Sequence, residues 1–163
     1  MRAKPIQGKR LEKLLRFLGN PDALVLRVSQ ETGLRVDDVL ELHTHTVRNF
    51  AKFDVKEKKT GKTKAVSLTR ELRHALLSQA GYYFVFQSKR RVDKHRHRST
   101  VFRNVKIACL KAGIDQNHVS PHSMRKNYAV DAYKRCGSVE AVQQLLNHKN
   151  IAVTLGYVFA DKL

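Results

Sequence analysis

The sequence predicts a mainly α-helical protein with one small antiparallel β-sheet, an α+β fold. Three observations predict it. Apolar residues recur at helical spacing along most of the chain, one stretch alone reads as strands, and a glycine-containing turn divides that stretch. From the N-terminus, Leu11, Leu14, Leu15 and Leu18 share a helical face, and Gly19-Asn20-Pro21 ends that helix and opens another over 22–31. After a turn at Thr32-Gly33, Val36, Val39, Leu40 and Leu42 are again helical. Asp37 and Asp38 in the first turn suit the helix dipole. Between Thr46 and Leu68, Phe53 and Val55, then Lys58-Lys59-Thr60-Gly61-Lys62, then Ala65, Val66 and Leu68 form two short strands and their turn. Thr69 caps a helix over 69–80. The run 82–86 is apolar but too short to assign, and 89–98 is a basic loop. Helices over 99–112, 120–135 and 139–146 follow, with a last short one through Tyr157. No repeat or low-complexity block interrupts the 163 residues, which read as a single domain, 1–163.

Lys and Arg number 32 against 14 Asp and Glu, a formal net charge of +18. Such a charge opposes compaction, so a polyanionic partner is expected. A nucleic-acid backbone is the first candidate, because neutralising phosphates releases counterions. No apolar run is long enough to span a bilayer, and MRAKPIQGKR shows no signal-peptide pattern. The cations are spread along the chain rather than gathered on one amphipathic helix, which disfavours a membrane surface. Cys109, among Val105, Ile107, Ala108 and Leu110, reads as a small buried hydrophobe, and with Cys136 it gives no metal or disulfide framework. A cytosolic, DNA-associated protein is the expectation.

Several short motifs could carry chemistry. In Ser120-Pro121-His122-Ser123-Met124-Arg125 the proline suits a first helical turn, and His122 and Arg125, three apart, project from one face at a helix start. That makes a phosphate cradle, although a solvated surface pair is the commoner fate of His-x-x-Arg in so basic a chain. In Thr32-Gly33-Leu34-Arg35, an arginine between core-type residues is either paired with Asp37, Asp38 or Glu41 or held to bind an anion. Lys59 lies at the hairpin tip, where a mobile cation can reach over a groove, while Lys56, Lys58, Lys62 and Lys64 read as solvated turn lysines in that local pattern. Leu145-Leu146-Asn147-His148 ends a helix, with Asn147 able to adopt the left-handed conformation that terminates one. Tyr157 follows nine residues after His148; by itself it reads as a packed aromatic.

Taken together and in this order, TGLR, KKTGKTK, HSMR, LLNH and TLGY resemble the catalytic domain of the tyrosine recombinases, the phage-integrase family, over nearly the whole chain from Asp22 to Val158. The resemblance implies that family's catalytic-domain fold. It also implies that Arg35 and Arg125 clamp a phosphate, that Lys59 is the hairpin lysine, that His122 and His148 are the two histidines and that Tyr157 is the nucleophile. Met124, Lys126 and Asn147 depart from the usual Leu, His or Arg, and Gly; Asn tolerates the positive φ that glycine serves. The family's N-terminal core-binding domain has no counterpart in this sequence, and six residues follow Tyr157.

The chemistry suits these residue types. Two guanidiniums stabilise the extra charge on the non-bridging oxygens of a phosphorane-like transition state. A phenol, protonated at neutral pH, needs a base or a positive field as it attacks, which His122 could supply, and His148 could donate to the phosphate. Lys59 could protonate the leaving 5′-oxygen as general acid. By resemblance the product is a 3′-phosphotyrosyl link, whose retained bond energy makes ATP and metal unnecessary; the sequence holds no GxxxxGK(S/T) loop and no evident carboxylate cluster for Mg²⁺. Neither cofactor nor metal is expected. The expected assembly is a homo-oligomer, a tetrameric synapse on DNA, with a monomer in free solution compatible. For DNA contact the resemblance and the charge pattern single out Lys62, Lys64, Lys89, Arg90, Arg91, Lys94, Arg96, Arg98 and Lys126. Two other readings compete: a tyrosine-type topoisomerase sharing this pocket, and a non-catalytic DNA-binding regulator that keeps the fold. A covalent adduct that depends on Tyr157 separates the regulator from both enzymes.

Overall fold

The computed structural model describes residues 3–159. The order of elements follows the expected one. Helix α1 spans Gly8–Arg16, α2 Asn20–Thr32, α3 Val36–Leu40 and α4 Thr44–Asn49. Strands β1 (Lys52–Lys56) and β2 (Thr63–Ser67) come next, then α5 (Arg70–Gln79), α6 (Arg98–Lys111), α7 (His122–Cys136), α8 (Val139–Leu145) and α9 (Ile151–Val158). The expected breaks hold for local reasons. Pro21 sits in the first turn of α2, and Gly33 ends that helix in the left-handed conformation at φ 69°. Thr69, Ser138 and Asn150 cap α5, α8 and α9, each accepting a backbone N–H through its side-chain oxygen.

The strands pair antiparallel with Phe53 opposite Val66 and Val55 opposite Lys64. Two differences from expectation concern the flanks of this sheet. A short helix, α4, precedes it, holding Thr44 and Val47 inside. The run 82–86 is neither strand nor helix: Val85 N–H donates to the Leu42 carbonyl at 2.9 Å, and Val85 and Phe86 fill the core. Helices α2 and α7 pack together at the centre. One large apolar cluster runs from Leu11 and Leu14 through Val25, Leu40 and Val105 to Met124, and Cys109 is buried within it as expected. A smaller cluster of Ala129, Ala132, Val142, Leu146 and Val158 joins α7, α8 and α9. Among the described residues no helix is long and apolar enough to cross a membrane.

Candidate active site

Arg125 stands at the centre, 1% exposed. Its Nη1 donates to the Gly33 carbonyl and lies 3.3 Å from Glu57 Oε1, and its Nη2 donates to the Leu146 carbonyl at 2.5 Å. Both carbonyls are free to accept because their helices have ended there. At Gly33 a Cβ would fall 2.6 Å from the Tyr128 ring, so only glycine lets α2 stop this close to α7. Asn147 adopts φ 53°, and the Asn147 and His148 amides close onto the Gln144 and Gln143 carbonyls, as expected of a helix terminus of this sequence. Arg125 Nε is buried with no hydrogen-bond partner among the described residues. A buried guanidinium with an unsatisfied edge is poised for an anionic acceptor.

Glu57, fully buried, is the acid that this cluster uses, and the sequence reading did not single it out. Its Oε2 lies 2.9 Å from Arg35 Nη1 and accepts from Thr60 Oγ1 at 2.9 Å and Asn147 Nδ2 at 3.3 Å. Burial alone would raise its pKa, but the Thr60 hydroxyl and the Arg125 and Arg35 charges outweigh it and hold the carboxyl below its ordinary value. Arg35 therefore pairs across the fold, not with its near neighbours Asp37, Asp38 or Glu41. Those acids are committed elsewhere: Asp37 to Arg98, Glu41 to Lys58, and Asp38 to the Lys58 backbone N–H at 3.0 Å. Burial pushes the Asp38 carboxyl up.

The two histidines and the tyrosine ring this cluster. His148 is buried, with Nδ1 2.9 Å from Thr154 Oγ1. Burial, then the Arg125 and Arg35 charges, push its pKa down to about 4, so its imidazole is neutral near pH 7. The Tyr157 ring meets it edge-on, with centroids 4.9 Å apart, and Lys126 Nζ lies over the Tyr157 ring at 5.0 Å from the centroid. His122 is at the surface at the start of α7, its backbone N–H on Ser120 Oγ and its ring edge-on to Phe102. Partial desolvation, then the Arg125, Arg98 and Arg35 charges, lower its pKa.

The lysines divide differently from expectation. Lys59 is exposed on the hairpin turn as anticipated. Lys64 is not a solvated turn lysine. It points inward from β2, 8% exposed, with Nζ on the Leu145 carbonyl at 2.7 Å and above the Tyr128 ring at 4.8 Å. Burial, then Arg125, push its pKa down to about 7. It therefore belongs to the floor of the site and not to a DNA-facing surface. Lys126, also buried, serves the tyrosine in the same way. In the basic loop, Arg96 turns inward to Asp22, with Nη2 at 2.7 Å, and Asn104 completes that carboxylate. Lys62, Lys89, Arg90, Arg91, Lys94 and Arg98 remain exposed, although Arg91 pairs with Asp93 and Arg98 with Asp37.

The model of the phage integrase family matches residues 4–162. Tyrosine recombinase XerD of Vibrio vulnificus is 29% identical over 150 residues, which is 83% of this chain and 48% of that protein. The probable integrase/recombinase YoeC of Bacillus subtilis is 23% identical over 98% of this chain and 91% of its own length. This chain thus spans about half the length of XerD and most of YoeC. Among solved structures, a lambda integrase dimer bound to a COC′ core site superposes with a TM-score of 0.78 at 21% identity, over 97% of this chain and 60% of that one. The XerA recombinase superposes with a TM-score of 0.74 at 22% identity, over 96% of this chain and 59% of that one. At these identities the structural likeness establishes the fold.

Proposed function

The chain belongs to the phage integrase family, and from that premise we propose that it is a site-specific recombinase that cuts and rejoins DNA strands through Tyr157. One observation carries the reading: the Tyr157 and His148 rings meet 4.9 Å apart beside Arg35 and the buried Arg125, whose Nε has no hydrogen-bond partner among the described residues. A phosphodiester supplies the missing acceptor. Arg125 and Arg35 hold its non-bridging oxygens, and these contacts strengthen as the phosphorus becomes five-coordinate. In the tautomer with the hydrogen on Nε2, Nδ1 accepts from the Thr154 hydroxyl 2.9 Å away, and neutral His148 donates to the same phosphate. Tyr157 Oη attacks phosphorus and gives up its proton with help from His122. The bond from phosphorus to the 5′-oxygen breaks, and Lys59 protonates that oxygen. A 3′-phosphotyrosyl link and a free 5′-hydroxyl result, and the reverse steps rejoin the strand.

We extend the reading to double-stranded DNA as partner, with the exposed cations Lys62, Lys89, Arg90, Lys94 and Arg98 on its backbone, and to action in the cytoplasm on the nucleoid. The lambda integrase structures are a dimer on a core site and a tetramer on a Holliday junction; we infer a comparable assembly of this chain on DNA. Exposed Leu145, Ile151, Val153 and Leu155 offer apolar surface for it. The test is covalent capture from a pool of nicked duplexes with randomised central sequence, read on a denaturing gel. An adduct that vanishes in Tyr157→Phe is expected. An adduct that persists in that variant removes Tyr157 as nucleophile, and no adduct with the native chain favours the regulator.

A further inference from the structure

The most heavily connected group in the site is not one of the six residues assigned above. We propose that Glu57 is a positioning residue: its carboxylate sets the separation and orientation of the Arg35 and Arg125 guanidiniums for the scissile phosphate and couples that clamp to the turn bearing Lys59. The inference rests on the recombinase reading above. Each Glu57 oxygen faces a different arginine, Oε1 toward Arg125 Nη1 at 3.3 Å and Oε2 toward Arg35 Nη1 at 2.9 Å. A rigid three-atom bridge between two guanidiniums fixes their spacing, and without it two neighbouring cations, one of them buried, repel each other. The contacts also define what stays open. Glu57 and the Gly33 and Leu146 carbonyls take three of the four Nη hydrogens of Arg125, and Nε, which has no hydrogen-bond partner among the described residues, is left for a ligand.

The second half of the proposal comes from where Glu57 sits in the chain. It follows the last residue of β1, its backbone N–H donates to the Lys62 carbonyl, and its own carbonyl accepts from Gly61. Thr60 Oγ1 donates to the carboxylate from the far side of the turn. Lys59 lies between these anchors, so a shift of the arginine pair moves the turn and the reverse holds. Asp38, the other buried acid, cannot take over. It holds the Lys58 backbone N–H and leaves Oδ2 without a hydrogen bond among the described residues. A mere counter-ion would need only the right charge, whereas a positioning group also needs the right reach.

Glu57→Gln keeps the shape and removes the charge, and Glu57→Asp keeps the charge and shortens the reach by one methylene. Thr60→Val removes one tie to the same carboxylate. Single-turnover cleavage is measured on the duplex selected in the capture experiment, with either a phosphate or a methylphosphonate at the mapped scissile position; melting by circular dichroism and non-covalent DNA binding are measured alongside. Displacement of the clamp by a fraction of an ångström to 1 Å predicts a loss of roughly 10- to 100-fold in Glu57→Gln and Glu57→Asp. A loss of about 10-fold is expected in Thr60→Val, the low end of what one hydrogen bond to a charged group is worth. DNA binding is expected to stay near native. The deficits should narrow on the methylphosphonate, which carries less charge for the clamp to meet. Native rates in Glu57→Asp overturn the proposal, as do deficits equal on both substrates. Unfolding of Glu57→Asp together with a native rate in Thr60→Val also overturns it, by assigning the carboxylate to stability alone. A native chain that forms no Tyr157 adduct defeats the recombinase reading instead, so the two failures are distinguishable.

Discussion

Replacing Lys64 by methionine tests whether a charge is held inside this site against its own solvation. Methionine fills similar volume with no ammonium to bury. The Lys64 pKa falls from an ordinary 10.5 to about 7 in the folded chain. A lysine whose folded value is depressed binds its proton more readily when unfolded. The native chain is therefore free of penalty above pH 10.5 and loses stability as pH falls toward 7, below which the penalty is constant. At 1.36 kcal/mol per pH unit the full difference is roughly 5 kcal/mol, and the part falling between pH 10 and pH 7 is roughly 3 kcal/mol. The methionine variant lacks this dependence. Its stability relative to the native chain should rise by about 3 kcal/mol from pH 10 to pH 7, whatever the fixed cost of losing the 2.7 Å bond to Leu145. Urea unfolding of both proteins at the two pH values measures the difference, and titrations common to both cancel. A gap that is the same at pH 10 and pH 7 would show that Lys64 is solvated after all and refute the buried placement.

Four other outcomes follow from contacts and charges of the same kind. His148 is depressed from 6.5 to about 4, so its contribution is intact above pH 6.5 and lost as pH falls toward 4. Between pH 7 and pH 4.5 the native chain should lose roughly 2 kcal/mol more than His148→Gln in urea unfolding; equal acid slopes would sink the idea. Gly33→Ala places a Cβ 2.6 Å from the Tyr128 ring at φ 69° and should cost about 2–4 kcal/mol. Its melting temperature should drop by several degrees or more, and an unchanged one would contradict the close approach of α2 to α7. Asp22→Asn breaks a buried pair with Arg96 and should cost about 2–4 kcal/mol. Arg96→Ala should leave the slope of log affinity against log salt unchanged, whereas Arg90→Ala should reduce it by about 1; a reduced slope in Arg96→Ala would return that residue to the DNA surface.

What was legible in the sequence was whatever is written locally. Caps and stops such as Gly33, Thr69 and Asn147 state their geometry in one or two residues, and the helices they bound lie within a few residues of expectation. The order of the motifs drew out Arg35, Arg125, His148 and Tyr157, which the fold brings into one neighbourhood. Helix α4 was missed because Thr44–Asn49 is short and buries only Thr44 and Val47, too few for a period to register. The larger misses were charges that the fold turns inward. Strand parity held the clue: Lys64 alternates with Val66 and Leu68, and Glu57 continues the alternation of Phe53 and Val55, so both belong to the inner surface of the hairpin. A run of lysines around them reads as solvent, and that composition outweighed the parity. Arg96 gave no such clue, since its partner Asp22 lies far back in the chain.

The distribution of charge assigns different work to different cations. Exposed lysines and arginines act through water and salt, which screen them over about 8 Å at physiological ionic strength. They can gather DNA, but they cannot distinguish a ground-state phosphate from one under attack. Arg35, Arg125 and Lys64 face Glu57 and Asp38 where water is largely excluded, so small displacements of charge carry large energies. With Lys64 protonated this group carries one more positive than negative charge, and with Lys64 neutral it balances. A value of about 7 leaves the lysine free to follow what enters. A phosphodiester brings the single negative charge that favours the protonated form, and the additional charge of the transition state favours it further. A site held near electrical balance when empty can thus exist inside a chain of +18 without driving itself apart. Under the proposed function, entry of a phosphate shifts the site from that balance toward full positive charge.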